Sequence, residues 1–249
     1  MERAVSSDPP DRSYNGSMIE FVGLPGAGKS TLAARVIDQL NAHNFSVRSP
    51  VAAINDRAAP VRILSKLSHV GMTGIFSPKV TFNSLRATGF GRLGSSSDAR
   101  STLFNWLFVH ALVARRRRTE RLVILDQGLF QAYWSACLSE PAALRATIRD
   151  EVVQIYRDRP LLIVDVQASP EILADRLSDR EPNPSRVKPD RDAGYGIADA
   201  TRAYSETREL IDDVIVHNPR AELLELSNET PAEIQPNVKK VSDRIRDQS

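Results

Sequence analysis

The sequence contains a single cysteine, Cys137, among its 249 residues. One thiol cannot form an internal disulfide, and it excludes a metal site built from several cysteines. The charges nearly cancel, because 33 basic and 31 acidic side chains leave a formal net charge of +2. The overall charge therefore gives no reason to expect a nucleic acid as a partner.

The sequence also lacks an apolar run long enough to cross a bilayer. The most apolar run, residues 103–114, is shorter than the roughly 20 residues that a spanning helix needs. We interpret it as a helix buried on nearly all sides. The polar, mixed-charge N-terminus has no apolar core of signal-peptide length, and residues 1–14 are expected to form a disordered tail. These features predict a cytoplasmic protein without a membrane partner.

One sequence motif is the main indication of function. Residues 23–31 read GLPGAGKST, which fits the phosphate-binding motif G-x-x-x-x-G-K-[ST]. The mostly apolar residues 18–22 predict a short buried strand before the motif, and apolar side chains recur at helical spacing from 32 to 40 after it. A glycine turn that merely contains Lys-Ser is the alternative, and it does not account for the flanking strand and helix.

The motif has a mechanical explanation. Glycines let the backbone curl so that successive N–H groups point at phosphate oxygens, and the helix that follows adds its positive end. Lys29 would reach the β- and γ-phosphates, and the Ser30 hydroxyl would coordinate Mg²⁺. The sequence therefore predicts a nucleoside triphosphate site formed by Gly23, Pro25, Gly26, Ala27, Gly28, Lys29, Ser30 and Thr31.

The rest of the chain alternates apolar strands with helices. Further strands are predicted at 45–50, 121–126, 161–166 and 223–226. Helices are predicted at 101–118, 141–157 and 195–216, and a further one ends at 138. Two more helices are expected to begin at the N-cap residue Ser169 and after a capping box at 230–233. This order predicts an α/β protein with the three-layer P-loop NTPase fold. We expect a five-stranded parallel sheet with helices on both faces, in one domain over residues 15–249.

Residues 51–100 form a basic, glycine-rich segment with weak periodicity. It contains seven basic and two acidic residues, and five of the twelve glycines fall between 71 and 94. Two interpretations stay open, a flexible cover over an anionic acceptor and a solvated loop. The later run of arginines at 115–118 is more typical of a helix C-terminus, whose negative end it complements, than of a polyanion site.

Asp126 is the first predicted partner of the P-loop. It follows a buried strand, and ligands of parallel α/β sheets bind beyond the carboxyl ends of the strands. Asp126 could hold Mg²⁺ directly or through water, or it could accept the proton of an acceptor hydroxyl. Ser30 and Asp126 are therefore the predicted metal ligands. Asp165 lies one residue before the end of its strand, where a structural role explains it.

A second group of basic residues is expected near the phosphates. Arg176 and Arg180 lie four apart on a predicted helix, so both project from one face, and a proline-rich loop follows with Arg186, Lys188 and Arg191. A lid over about 176–192 could place positive charge on the migrating phosphoryl group and exclude water. Surface pairing with neighbouring acidic residues is the alternative for any single arginine.

The order of these elements over residues 17–245 resembles the thymidylate kinase-like branch of P-loop nucleoside and nucleotide kinases. The P-loop and the Arg-Leu-x-x-Arg pattern of residues 176–180 carry the resemblance. It implies ATP and Mg²⁺ as cofactors, with Arg176 and Arg180 clasping the phosphates. It also implies that the turn after the last strand, with Asn228 and Pro231, binds the adenine.

Two positions depart from that family. Where the family has an arginine that grips the acceptor phosphate, this sequence has Gln127, which removes a charged, bidentate contact. The stretch Arg48-Ser49-Pro50 matches the family's Arg-Glu-Pro only in part. The donor half of the sequence resembles the family, whereas the acceptor half does not.

The leading hypothesis is an ATP- and Mg²⁺-dependent phosphotransferase that moves the γ-phosphoryl of ATP to a small-molecule acceptor. Its catalytic residues would be Lys29, Asp126, Arg176 and Arg180. A nucleoside, a nucleotide and another small metabolite or antibiotic all remain open as acceptors. A nucleotide-dependent regulatory NTPase that acts through a protein partner is the alternative, with residues 51–100 as its docking surface. The oligomeric state is open, a homodimer included.

Overall fold

The structure is a computed structural model, and it describes residues 17–55, 58–89, 93, 96–114, 122–179, 187 and 195–247. Several predicted features lie outside the described residues. These are the tail at 1–14, the arginine run at 115–118 and most of the predicted lid, with Arg180, Arg186, Lys188 and Arg191.

A five-stranded sheet forms the centre of the protein. Its strands are β1 (Met18–Val22), β2 (Val47–Arg48), β3 (Leu122–Leu125), β4 (Leu161–Gln167) and β5 (Ala221–Ser227). They lie in the order β2-β3-β1-β4-β5, and every neighbouring pair is parallel. In β1, Glu20 is level with Leu125 of β3 and Ile163 of β4. The predicted fold is confirmed.

Ten helices and one 3₁₀ turn surround the sheet among the described residues. They are α1 (Lys29–Ala42), α2 (Pro50–Asn55), α3 (Ala59–Phe76), α4 (Pro78–Thr88), α5 (Ser97–Ala114), α6 (Leu129–Ser139), α7 (Ala142–Tyr156), α8 (Pro170–Ser178), α9 (Ile197–His217), the 3₁₀ turn Pro231–Glu233 and α10 (Ile234–Asp247). None of the helices described is both long enough and apolar enough to cross a membrane.

Two apolar cores cover the two faces of the sheet. Alternate residues of a strand point to opposite faces, so Ile19 and Phe21 of β1 pack with α1, α8 and α10. Met18 and Val22 face the other way, against α5, α6, α7 and α9. The strands are therefore covered by helices on both sides, which explains why β3 and β4 are nearly continuous apolar runs.

The structure of residues 51–100 differs from the loop-like segment that the sequence suggested. A solvated loop is wrong for the described part, which consists mainly of α2, α3, α4 and the start of α5. A role of this segment as a cover over an acceptor stays a prediction. Gly71 and Gly74 lie inside α3, where glycine weakens helix propensity and concealed the helical pattern. Val70 and Leu85 nevertheless pack on the main core and hold α3 and α4 against it. Pro50 begins α2 instead of ending a longer strand, so β2 is only two residues long.

The helix expected to be buried on nearly all sides is α5. Trp106 and Phe108 are among its fully buried side chains, and the Trp106 Nε1 donates a hydrogen bond of 3.1 Å to the Ser84 hydroxyl of α4. This contact joins two helices through their buried polar atoms.

Asp165 connects β4 to α9. Its carboxylate accepts hydrogen bonds from the Tyr204 hydroxyl and the Arg208 guanidinium. Arg208 also donates to Glu225 of β5 at 2.7 Å. These contacts give Asp165 a structural role and leave Asp126 as the acid at the end of a strand beside the P-loop.

Candidate nucleotide-binding site

The P-loop joins β1 to α1 in a conformation that needs glycine at two points. Gly23 has φ 143°, and a Cβ there would lie 2.3 Å from the Val166 carbonyl oxygen. Gly28 has φ 92°, and a Cβ there would lie 2.3 Å from the Nδ2 of Asn228. A larger residue at either position would combine backbone strain with a clash.

Lys29 begins α1 and turns back onto the loop. Its Nζ donates hydrogen bonds of 2.8 Å to the carbonyl oxygens of Gly23 and Leu24. Ser30 and Thr31 follow in the first turn of the helix, and both are exposed. The ammonium group and the positive end of α1 are thereby brought to the same small region.

Two side chains from outside the motif bind the remaining part of the loop. The Asn228 Nδ2 donates to the Ala27 carbonyl at 2.6 Å, and the Arg176 Nη1 donates to the Gly26 carbonyl at 3.2 Å. In a planar trans peptide the N–H points away from the C=O. Fixing the Ala27 carbonyl therefore directs the Gly28 N–H of the same peptide to the other side, where a phosphate oxygen would bind. The Ala27 N–H instead donates within the loop to the Leu24 carbonyl at 3.1 Å.

The turn between β5 and α10 is tied to the P-loop and to α8 at once. The Glu229 carboxylate accepts hydrogen bonds from the backbone N–H and the hydroxyl of Ser169, at 2.9 and 3.0 Å. The Glu229 carbonyl accepts a bond of 3.1 Å from the Arg176 Nη2. Ser169 is the N-cap residue of α8, as predicted, but its hydroxyl binds Glu229 instead of capping the helix. Sequence reasoning missed Glu229.

The predicted capping box at the same turn is also present. The Glu233 carboxylate accepts the backbone N–H of Thr230 at 3.2 Å and that of Glu229 at 2.5 Å. Pro231 begins the 3₁₀ turn and is exposed. Hydrogen bonds thus connect the turn that the resemblance assigns to adenine with the P-loop and α8.

Asp126 lies at the end of β3, next to Ser30 and Lys29. Burial raises the pKa of its carboxyl, and hydrogen bonds, including one with Ser30, and the charge of Lys29 lower it in part. Its Oδ1 is buried and has no hydrogen-bond partner among the described residues. A buried carboxylate oxygen with no donor fits a cation, and oxygen ligands are those that Mg²⁺ prefers.

Metal binding at this point would draw on few protein ligands. Among the described residues no group of three or more His, Cys, Asp and Glu side chains could hold a metal ion. Mg²⁺ is typically held by one or two protein oxygens together with substrate phosphates and waters. Ser30 and Asp126 fit that arrangement.

Glu20 is a fully buried acid in β1 that sequence reasoning also missed. Its carboxylate accepts the backbone N–H of Phe130 at 2.7 Å and the Tyr156 hydroxyl. A Cβ at Gly128 would lie 2.2 Å from the Glu20 carboxyl carbon, so the segment that follows Asp126 runs directly over this group. The signal in the sequence is one acid inside the apolar strand Met18–Val22. Glu20 anchors the start of α6 and so positions the chain that carries Asp126.

The family follows from a sequence match. The AAA_33 family model, described as an AAA domain, matches residues 18–195, which is well over half of the chain. The chain belongs to this family. The matched region contains the P-loop, Asp126 and Arg176, and it ends just before α9.

Solved structures similar to this AAA_33 protein include several kinases. A deoxyadenosine kinase from M. mycoides is 9% identical, with 92% of this chain and 99% of that chain covered and a TM-score of 0.49. Thymidylate kinases from Candida albicans and Ehrlichia chaffeensis are 12% and 13% identical. The Candida albicans match covers 94% of this chain and 94% of that chain, and the Ehrlichia chaffeensis match covers 92% of this chain and 98% of that chain. Both TM-scores are 0.46. These likenesses are too distant to carry a conclusion on activity. No curated protein shows a significant match to the sequence.

Replacing Asn228 tests whether it positions the P-loop of this AAA_33 protein. Asn228→Ala leaves the buried Ala27 carbonyl without its donor, which costs about 1–3 kcal/mol of unfolding free energy. We also expect the KM for ATP to rise, because the Gly28 N–H, which shares a peptide with the Ala27 carbonyl, loses its fixed direction. Asn237→Ala is a matched control, since the Asn237 Nδ2 binds the Ser227 carbonyl at 2.6 Å, outside the P-loop. If both variants raise KM equally, Asn228 has no specific part in nucleotide binding.

The buried Glu20 carboxyl should make the stability of the folded protein depend on pH. Burial raises its pKa from 4.5 to about 7, while hydrogen bonds lower it in part. The folded protein therefore holds this proton more tightly than the unfolded chain. The resulting stabilisation is complete below pH 4.5 and is lost as the pH rises through about 7, a change of about 3 kcal/mol. Glu20→Gln cannot ionise, so we expect it to gain stability relative to the unmodified protein over that range. Urea unfolding of both proteins at several pH values measures the difference, and parallel curves would contradict the prediction.

A groove of about 1040 Å³ lies away from this site. It is lined by residues of α3, α4, α5 and α7, among them Met72, Phe76, His110 and Glu151. None of the predicted site residues lines it. Its volume alone therefore does not identify it with the phosphate chemistry at the P-loop.

Proposed function

We propose that this AAA_33 protein is an ATP- and Mg²⁺-dependent phosphotransferase that moves the γ-phosphoryl of ATP to a small-molecule acceptor. One observation carries the proposal. The half-buried Asp126 carboxyl at the end of β3 lies next to Ser30 and Lys29 of the P-loop, and its buried Oδ1 has no donor among the described residues. This set brings together a glycine loop, a cation and two side chains that would hold Mg²⁺.

In the proposed mechanism the loop amides and Lys29 bind the phosphates of ATP. Ser30 and Asp126 would hold Mg²⁺, which would neutralise charge on the phosphate oxygens when bound. Asp126 could alternatively accept the proton of the acceptor hydroxyl. Arg176 would stabilise the charge on the migrating phosphoryl group, because its side chain binds the Gly26 carbonyl of the P-loop. Arg180, outside the described residues, stays a prediction.

The β5–α10 turn supports ATP as the proposed donor. Asn228 contributes by fixing the P-loop at Ala27, and Pro231 offers an exposed ring beside it for the adenine. Arg176 bridges Gly26 and Glu229. A nucleotide bound across the turn and the loop would therefore have both of its ends on one connected set of residues.

The acceptor side favours a molecule without a phosphate. Gln127 follows Asp126 and is exposed and neutral, so it cannot provide the bidentate charged contact with which an arginine binds a phosphate. We therefore propose a nucleoside or another small hydroxylated molecule ahead of a nucleotide such as thymidylate.

Arg176→Ala tests the role of this arginine. If it stabilises the migrating group, kcat should fall by about two orders of magnitude, while the KM for ATP changes much less. Arg176→Lys keeps the charge but not the fork that reaches both Gly26 and Glu229, and it serves as the comparison. A raised KM with unchanged kcat would restrict Arg176 to bridging the loop and the turn.

ADP release from ATP and Mg²⁺ tests the proposed function. It should be measured with and without a panel of nucleosides, nucleoside monophosphates and small hydroxylated metabolites. Stimulation well above background by one member, absent in Lys29→Ala, is the expected result, and it names the acceptor class. Slow release that only a protein partner stimulates would favour the regulatory NTPase instead.

A further inference from the structure

The helices α3 and α4 expose an unusual share of the large apolar side chains. Seven such side chains are exposed among the described residues, and six of them lie on these two helices. We call these six the α3–α4 surface: Val61, Leu64, Leu67, Ile75, Phe76 and Phe82. Phe76 and Ile75, at the junction of the two helices, are 71% and 73% exposed. Exposed apolar surface of this kind marks an interaction site more often than single exposed residues do.

The exposed apolar residues of α3 follow the helical repeat. Val61, Leu64, Ser68, Gly71 and Ile75 succeed one another at spacings of three and four, and all are exposed. No atom lies within 4 Å of the Cβ position of Gly71. One continuous side of α3 therefore has no cover from the described residues.

The opposite side of α3 is packed. The Lys66 ammonium lies 5.2 Å from the centre of the Phe108 ring of α5, and the His69 ring meets the same ring edge-on at 5.7 Å. Internal packing of α3 is thus provided by α5. The outward side is free to face another molecule.

Charge favours an anionic partner for this surface. Helices α3 and α4 carry four basic side chains and no acidic one, in a chain whose net charge is only +2. On α4, Lys79 and Arg86 are exposed and lie three residues before and four residues after Phe82. Positions at these spacings share one face of a helix, so a phenyl ring is flanked by two cations.

We propose that the α3–α4 surface binds the surface of an anionic lipid bilayer. A helix with leucine, isoleucine and phenylalanine on one side and basic residues beside them lies in the interface of such a membrane. The apolar side chains enter the boundary of the acyl chains, and the cations meet the anionic headgroups. The binding is peripheral, and it differs from the expectation of no membrane partner, which rested on the lack of a spanning run.

The same charge disfavours a second copy of the chain on this surface. A two-fold interface brings the same patch of both subunits together, and here two copies of α3 and α4, which carry four basic and no acidic residues, would face each other. Like charges at an interface repel. An anionic bilayer has the complementary charge.

Sedimentation with vesicles tests the proposal on the full chain. Vesicles of phosphatidylcholine with about one third phosphatidylglycerol provide the anionic surface, and pure phosphatidylcholine vesicles the neutral one. We expect binding to the anionic vesicles that weakens as salt is added. Ile75→Glu should lower the partition coefficient at least about tenfold, because it removes an inserted apolar side chain from the outward side of α3 and adds a negative charge.

Val216→Glu is the matched control, since Val216 is 79% exposed on α9, outside this surface. It should bind vesicles as the unmodified protein does. Circular dichroism verifies that both variants are folded, and ADP release measured without vesicles should be unchanged in both. Absence of binding to anionic vesicles, equal binding to neutral ones, or an equal loss in Val216→Glu would overturn the proposal. A concentration-dependent dimer that Ile75→Glu dissociates would also overturn it, because a second copy would then cover the surface.

Discussion

We expect Asp126→Asn to lower the rate of ADP release by about two to three orders of magnitude. The substitution keeps the shape of the side chain but removes the charge that would hold Mg²⁺ or accept the acceptor proton. At the same time we expect the ligand-free protein to become more stable, by about 1 kcal/mol. The reason is that burial already raises the pKa of this carboxyl, so the fold favours a neutral group there.

The opposite responses of activity and stability separate this prediction from a simple folding defect. Steady-state ADP release and urea unfolding, each measured with and without Mg²⁺ and ATP, give both values. Asp165→Asn is the control, because it weakens the contacts with Tyr204 and Arg208 and should reduce stability. If Asp126→Asn retained full turnover, the metal or base role of Asp126 would be wrong.

Lys29→Ala has the second large effect. It removes the ammonium group at the start of α1, and we expect kcat to fall by about two to three orders of magnitude. The variant also loses the hydrogen bonds to the Gly23 and Leu24 carbonyls, each worth about 1 kcal/mol. Thermal unfolding without nucleotide measures the loss of stability, and ADP release with ATP and Mg²⁺ measures the loss of turnover.

Lys239→Ala is a suitable control for this experiment. Lys239 is an exposed lysine of α10, so its loss should change neither turnover nor stability by a measurable amount. Lys29→Arg keeps a positive charge in a different shape and should recover only part of the activity. Turnover that survives in Lys29→Ala would mean that the release of ADP occurs elsewhere or without this cation.

The regular elements could be predicted because their apolar residues are continuous or periodic. The predicted strand at 161–166 is β4 at Leu161–Gln167, and the predicted helix at 141–157 is α7 at Ala142–Tyr156. The α3–α4 region was misread because its glycines and basic residues resemble those of a loop. Tertiary packing of residues such as Val70 stabilised helices there in spite of low propensity.

The same contrast holds at the candidate site. The P-loop is contiguous in sequence, so its shape follows from nine neighbouring residues. Glu20 and Phe130 are 110 positions apart, and Ser169 and Glu229 are 60 apart. Such contacts depend on which strand lies beside which, and no local pattern reports them. Glu20, Glu229 and the loop contact of Asn228 therefore required the structure.

The fate of the γ-phosphoryl group tests the central claim most directly. ATP labelled at the γ-phosphate is incubated with the protein, Mg²⁺ and the panel member that best stimulates ADP release, and the products are separated. A phosphotransferase places the label in the organic acceptor in step with ADP release, and Asp126→Asn and Lys29→Ala abolish that product. Label found only in inorganic phosphate, at a rate that no acceptor changes, would contradict the account and identify a hydrolase.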